Sequence, residues 1–367
     1  APGQYSITIT GVGNYTSTTL VAYTIESPDM IIGVDVTDKN GRQAEGSVNI
    51  RPIGEEGNDV EIVSMNHAPD QLPTTSVTIP ALCTSGGKTY TITGIAEGAF
   101  VHMSDLKDIY LPETDEPLII GENAFPEDVT IHVPIALLDD YALMPSLAPY
   151  YQNGKVMTTV KAANRFWTFS SGVDVAVPNG VSVYVVHERN DNTVTIIELT
   201  DEELNEAGQR IIKANNGVLF ECTGYDTTFD LIASPIRMES GSTISTEDNK
   251  DYGMENCLVP VIKATHYEAD GYFLLKNNEF YRIKAESENI KVPAGKAVLY
   301  LPGLTLTRSF ADAMEMVDQY GTPVMQVKDN SDADEEDGWY DLNGRKLERK
   351  PAGKGIYIHN NMKVIIN

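Results

Sequence analysis

The side chains that could carry chemistry in this chain are many, but their spacing builds no reactive group. The six histidines (His67, His102, His132, His187, His266 and His359) are scattered, with no HExxH run and no i,i+4 pair to set two imidazoles on one helix face for zinc. Cys83, Cys222 and Cys257 fit no CxxC spacing. Cys222 ends the apolar run Val218–Cys222 and Cys257 precedes Leu258-Val259, so both read as buried thiols; a Cys222–Cys257 disulfide stays open. There is no GxSxG elbow, Walker loop or GxGxxG fingerprint, and Gly11-Val12-Gly13-Asn14 reads as a turn. A glycosidase needs two facing acids about 5–10 Å apart, and carboxylates are too abundant here for any pair to stand out. Glu97 and Glu122 share a repeat phase and read as repeated surface charge. The acidic run 329–337 lacks the spacing and glycine of an EF-hand loop and reads as a solvated tether. The sequence therefore calls for no catalytic residue, no metal site and no cofactor.

Binding chemistry is what remains. His132 lies between Ile131 and Val133, so strand alternation turns it away from them, towards solvent or a ligand. Tyr110, Tyr150 and Tyr151 are candidates for exposed contact residues, and a tyrosine on an outward strand face suits that role. Trp167, with Phe166 and Phe169, could stack a sugar ring, although a Phe-Trp-Thr-Phe strand is more often core. The charge narrows the partners: 27 basic against 53 acidic residues leave −26, a field that repels nucleic acid and anionic membrane surfaces. No run of about 18 apolar residues offers a transmembrane helix. Ala1-Pro2-Gly3 is not a natural start and lacks a signal peptide, as expected of a chain beginning after a removed export segment or inside a longer one.

The elements that must position these residues read as mainly β. Residues 1–45 alternate in Tyr5-Ser6-Ile7-Thr8-Ile9, with turn signals at Gly11–Asn14 and Asn40-Gly41, and form an N-terminal β unit. Within 46–162, Val48–Ile50 with Val60–Val63 and Val77–Ile79 with Thr89–Ile92 read as two hairpins leading into a repeat. Ile95-Ala96-Glu97-Gly98-Ala99-Phe100 returns as Ile120-Gly121-Glu122-Asn123-Ala124-Phe125, and strand-plus-proline units recur at Val77–Pro80, Ile109–Pro112 and Ile131–Pro134. A period of roughly 20–29 residues predicts a leucine-rich-repeat solenoid, here of two to three turns. Leu137, Leu138, Tyr141 and Met144 then predict one short helix ending near Pro145, a cap on the solenoid. Residues 163–310 carry seven or more short strands between turn signals and predict a β-sandwich or barrel, interrupted by a helix over Thr200–Ala214. A short helix over Arg308–Val317 and the acidic linker make up 311–338, and 339–367 is a small β module.

Several stretches carry a resemblance. The IxxGAF…LxxIxLP pattern of residues 92–134 resembles the BspA-like leucine-rich repeat family of bacterial cell-surface proteins, and VTIP…GGKTYTITGI at 77–95 is similar to its lead-in. IIKANNGVLF (211–220) and VPAGKAVLYLP (292–302) look like a β-domain of secreted proteins from Bacteroidetes-type bacteria. WYDLNGRKL…GKGIYI…KVIIN (339–367) resembles the C-terminal segments of their exported proteins, related in pattern to type IX sorting domains. The resemblance implies an exported, extracellular or cell-surface protein with a non-catalytic interaction or adhesion role towards host or matrix proteins or glycans. The alternative is a carbohydrate-binding accessory protein acting through 163–310, and an unrecognised hydrolase is the least supported reading. Family members carry many repeats and this chain only two clear ones, so the solenoid is expected to act as a connector with a binding edge.

Overall fold

The computed structural model describes residues 3–11, 17–25, 30–54, 57–66, 73–162, 164–190, 193–199, 204–205, 207–222, 227–233, 256–267, 271–283, 290–301, 313–320, 323–324, 339–340, 346–347, 355–359 and 362–366. The protein is mainly β, in two compact units, Ala1–Thr322 and Pro323–Asn367. Among the described residues no helix is long and apolar enough to cross a membrane. The acidic run 329–337 and Thr200, the expected start of the helix over Thr200–Ala214, lie outside them.

In the first unit, the hairpin Gly3–Thr10 with Thr18–Ile25 stands as its own two-stranded sheet. A thirteen-stranded sheet follows, starting with the antiparallel run Met30–Asp38, Gln43–Ile53 and Asp59–Asn66. Its first turn is fixed by Asp38, whose Oδ1 accepts from the amides of Asn40 and Arg42, while Gly41 supplies a φ of 74°.

Here the pairing becomes parallel. Thr74–Thr78, Asp108–Tyr110, Thr130–His132 and Val156–Ala162 lie side by side, with Val77, Ile109, Ile131 and Val156 in one register column. All four side chains are fully buried. A second parallel ladder aligns Ile62, Ile95 and Ile120. Between the ladders the recurring segments stack on each other: Phe100 N–H donates to Ala124 O at 2.7 Å, and the Phe100 and Phe125 rings lie 6.0 Å apart. Two expectations change. Thr89–Ile92 hairpins with Leu82–Ser85 and not with Val77–Ile79, because both edges of Thr74–Thr78 are taken, by Met30–Asp38 on one side and Asp108–Tyr110 on the other. The single cap helix is instead two five-residue helices, Leu138–Ala142 and Ala148–Gln152, each preceded by a 3-10 turn and separated at Pro145.

The first sheet continues past residue 162. Val156–Ala162 pairs antiparallel with Thr227–Ala233, which pairs with Val175–Val177, which pairs in turn with Arg210–Ile212. That last strand occupies part of the stretch expected to be helical; Ile211 and Ile212 are both buried against the sheet, and tertiary packing overrides local helix propensity. A nine-stranded sheet runs Phe166–Phe169, Val218–Glu221, Ser182–Asn190, Thr193–Glu198, Ala313–Val317, Glu279–Arg282, Tyr272–Lys276, Lys296–Tyr300, Leu258–Val261. Ala313–Val317 was expected to be helical, yet Met314 and Met316 are buried and Glu315 exposed, the period-two pattern of a strand. This sheet nearly closes on itself. Ser170 N–H donates to Gly295 O, and the Ser170 hydroxyl donates to Lys296 O while accepting from the Val261 amide, joining its first strand to its last two. Val160 and Leu231 of the first sheet share one apolar core with Val183, Val218 and Phe220 of the second. The second unit is a four-stranded antiparallel sheet ordered Lys346–Leu347, Trp339–Tyr340, Gly355–His359, Met362–Ile366.

The tightest stacking in the repeat is at Gly121. A Cβ there would lie 2.4 Å from Glu97 N and 2.7 Å from Ala96 C, backbone that cannot swing aside. Gly121→Ala is therefore expected to lower stability by roughly 1–3 kcal/mol through overpacking. Equilibrium urea denaturation checks this; an unchanged midpoint would show that the two segments are not held at this distance.

Candidate functional site

Two surfaces gather the residues that could contact a ligand. The first is the outer face of the parallel ladder. Because Val77, Ile109, Ile131 and Val156 point inward, their neighbours point outward, in the register row Thr78, Tyr110, His132, Met157, Ile232. Tyr110 and His132 stack with ring centroids 4.2 Å apart and planes at 16°. His132 Nε2 lies 3.0 Å from Asp108 Oδ1, one pleat back on the same face, which orients the imidazole. Its Nδ1 is buried with no hydrogen-bond partner. Asp230, which accepts from the Thr159 hydroxyl at 2.6 Å, is close enough to act on Tyr110. Burial first, then the charges of Asp108 and Asp230, hold the Tyr110 phenol above its usual range. The face thus offers an aromatic plate flanked by carboxylates.

Sequence reasoning placed Tyr110 and His132 as separate candidates, and the structure brings them into contact. It corrects the exposure of His132. The side chain does leave the Ile131/Val133 face, but it is only 7% exposed because Tyr110 covers its ring. Tyr110, at 37%, is the residue that meets solvent. Tyr150 and Tyr151 are not surface contacts. Both are buried in the helix Ala148–Gln152, where the Tyr150 hydroxyl donates to Phe125 O at 2.7 Å and that of Tyr151 to Leu138 O at 3.1 Å. Each ties the capping helix to a carbonyl beneath it.

The second surface is a cleft of about 250 Å³ at the seam of the nearly closed sheet. Trp167 and Phe166 contribute one side, Asn277 and Lys276 another, and Ile290–Pro293 and Lys296 the rest. Phe166 is buried, but Trp167 is only partly so. The Lys296 ammonium sits over the Trp167 ring. Among the described residues Lys296 has no carboxylate partner, and burial pushes its ammonium down to about 7. Among the described residues no acid lines the cleft, whereas Lys276, Lys291 and Lys296 all do. Lys296 was missed in the sequence; its one signal was a lysine entering the apolar strand Lys296–Tyr300 directly after Gly295.

Elsewhere, no group of three or more His, Cys, Asp or Glu among the described residues could hold a metal ion. Cys83, Cys222 and Cys257 form no disulfide, so the Cys222–Cys257 pairing is not made; burial pushes Cys222 up to about 11, and Cys257 Sγ donates to His187 O. Comparison with known proteins gives no match to a family model, a curated protein or a solved structure. The chain is thus placed by its architecture alone: a mainly β protein with an aromatic ladder face and a basic seam cleft.

Among the described residues one carboxylate has a raised pKa, and its surroundings are structural. Asp139 Oδ1 accepts from the Gly172 amide at 2.7 Å and the Ser171 hydroxyl at 3.0 Å, clasping the cap to the turn before Val175–Val177. Burial outweighs those bonds and pushes the carboxyl up to about 6. A carboxyl whose folded pKa exceeds its unfolded value binds its proton more tightly when folded, so its contribution to stability is largest below the unfolded pKa and is lost as pH rises through about 6. Asp139→Asn keeps the Oδ1 acceptor and removes the charge. Between pH 7 and pH 4, wild type should gain on this variant by up to about 3 kcal/mol. Parallel urea titrations test it, and a difference that does not change with pH would rule the assignment out.

Proposed function

We propose that this protein is an exported, non-catalytic interaction protein of the BspA-like leucine-rich repeat kind, working at a bacterial cell surface. The observation that carries the reading is the stacked Tyr110–His132 pair on the outward row of the parallel ladder. The ladder sets one short strand per recurring segment, as a leucine-rich solenoid does, and its outward row is the edge such a protein would present to a partner. Aromatic residues seated on rigid strands are suited to contact because little side-chain freedom is lost on binding. The partner class is host or matrix protein or glycan. The sorting-like segment 339–367 supports export.

A second reading is glycan capture by 163–310, and one observation favours it: Trp167 is partly exposed in a cleft that also carries Asn164 and Asn277. Among the described residues the lining carries Lys276, Lys291 and Lys296 and no carboxylate.

The ladder reading is tested by screening the full chain against immobilised matrix proteins and glycans, then repeating each positive with Tyr110→Ala. Loss of the aromatic plate is expected to weaken binding at least about tenfold, as for a contact hot spot, with circular dichroism unchanged. Binding that survives the substitution intact would move the contact elsewhere.

A further inference from the structure

The seam cleft runs against the charge of the molecule. The chain carries nearly twice as many acids as bases, 53 to 27, yet among the described residues that line this cleft every ionisable side chain is a lysine. None of the three has a carboxylate partner among the described residues, although lysine–carboxylate pairing does occur elsewhere in the fold, at Lys213 and Asp174. A largely buried ammonium that rests only on an aromatic face is costly unless something compensates it. A bound anion would do so. The rest of the lining says which anion. Trp167 and Phe166 supply an aromatic wall, Asn164 and Asn277 supply amide groups, and a volume of about 250 Å³ admits one ring-sized group.

We propose that the cleft binds a carboxylate-bearing sugar residue of an acidic glycan, with Lys296 facing the carboxylate and Trp167 forming the floor. The proposal rests on the glycan-capture reading and adds the acidic group to it. Lys276 and Lys291 raise the local potential at the cleft, while Asn164 and Asn277 offer donors and acceptors for ring hydroxyls. Burial lowers the Lys296 pKa to about 7, and an anion beside it would favour the ammonium, so ligand binding would be coupled to proton uptake near neutral pH.

The test is isothermal titration of the full chain with oligosaccharides ending in glucuronate or N-acetylneuraminate, with neutral oligosaccharides of matched length, and with inorganic phosphate. The expected result is binding of at least one acidic oligosaccharide at least about tenfold tighter than its neutral match and than phosphate, lost in Lys296→Met, which keeps the side-chain volume. If Lys296→Met does not fold, the double variant Lys276→Gln, Lys291→Gln should weaken the same binding and steepen none of its salt dependence. Equal affinity for acidic and neutral sugars overturns the proposal and leaves glycan capture standing. Phosphate bound as tightly as the acidic sugar overturns it in favour of a bare anion site. No sugar bound at millimolar concentration overturns both.

Discussion

A column of four aliphatic side chains organises this protein. Val77, Ile109, Ile131 and Val156 come from segments separated by loops, and parallel pairing puts them in one buried line. Fully burying each is worth roughly 1.5–3 kcal/mol, and the column works only in this register. A slip of one residue would turn Tyr110 and His132 inward and the aliphatics out. Register is thus the constraint from which the outer face follows: the same pleat that buries the column lines up Tyr110 against His132 and sets Asp108 beside the imidazole. The second ladder, with Ile62, Ile95 and Ile120, and the Phe100–Phe125 stack close the other side of the same core.

The ends of this core are managed differently. On one side the capping helices are fastened by tyrosine hydroxyls: Tyr150 and Tyr151 donate to carbonyls, while Tyr141 accepts from the Leu118 amide at 2.9 Å. On the other, the ladder does not stop. Thr227–Ala233 pairs along Val156–Ala162 and carries the sheet into the next set of strands, so an edge that would otherwise be open is covered. Asp139 joins the two arrangements, reaching from the helix Leu138–Ala142 to Ser171 and Gly172.

What could be read in the sequence follows from which signals are local. Alternation and the recurring Ile…Phe segments made strands and stacking legible, because a strand of a half-buried sheet writes its pattern into adjacent residues. Pairing partners are not local. Thr89–Ile92 had two strands nearby to choose from, and the pairing of Thr74–Thr78 on both its edges, with Met30–Asp38 and with Asp108–Tyr110, decides between them. Ala313–Val317 and Arg210–Ile212 failed for the opposite reason: Ala, Met, Glu and Arg favour a helix when read alone, and burial in a sheet outweighs that preference. At the candidate sites, alternation correctly turned His132 off the core face but could not show that Tyr110 would cover it. Tyr150 and Tyr151 were misjudged because a tyrosine's hydroxyl can find a carbonyl indoors as readily as water outdoors.

The cleft illustrates why Lys296 was invisible in the chain yet conspicuous in the fold. A single lysine beside Gly295 carries no motif. Its meaning arises only when the nine-stranded sheet curls until Ser170 bridges Phe166–Phe169 to Lys296–Tyr300, laying the ammonium across Trp167 and away from every carboxylate described. Closing the sheet did not require this charge, since a methionine stem would pack over the ring without the desolvation cost. The two surfaces therefore differ in kind. The ladder face inherits its residues from the register that stabilises the core, and its contacts come with the fold. The seam cleft holds an ammonium that burial disfavours and that packing over Trp167 does not require.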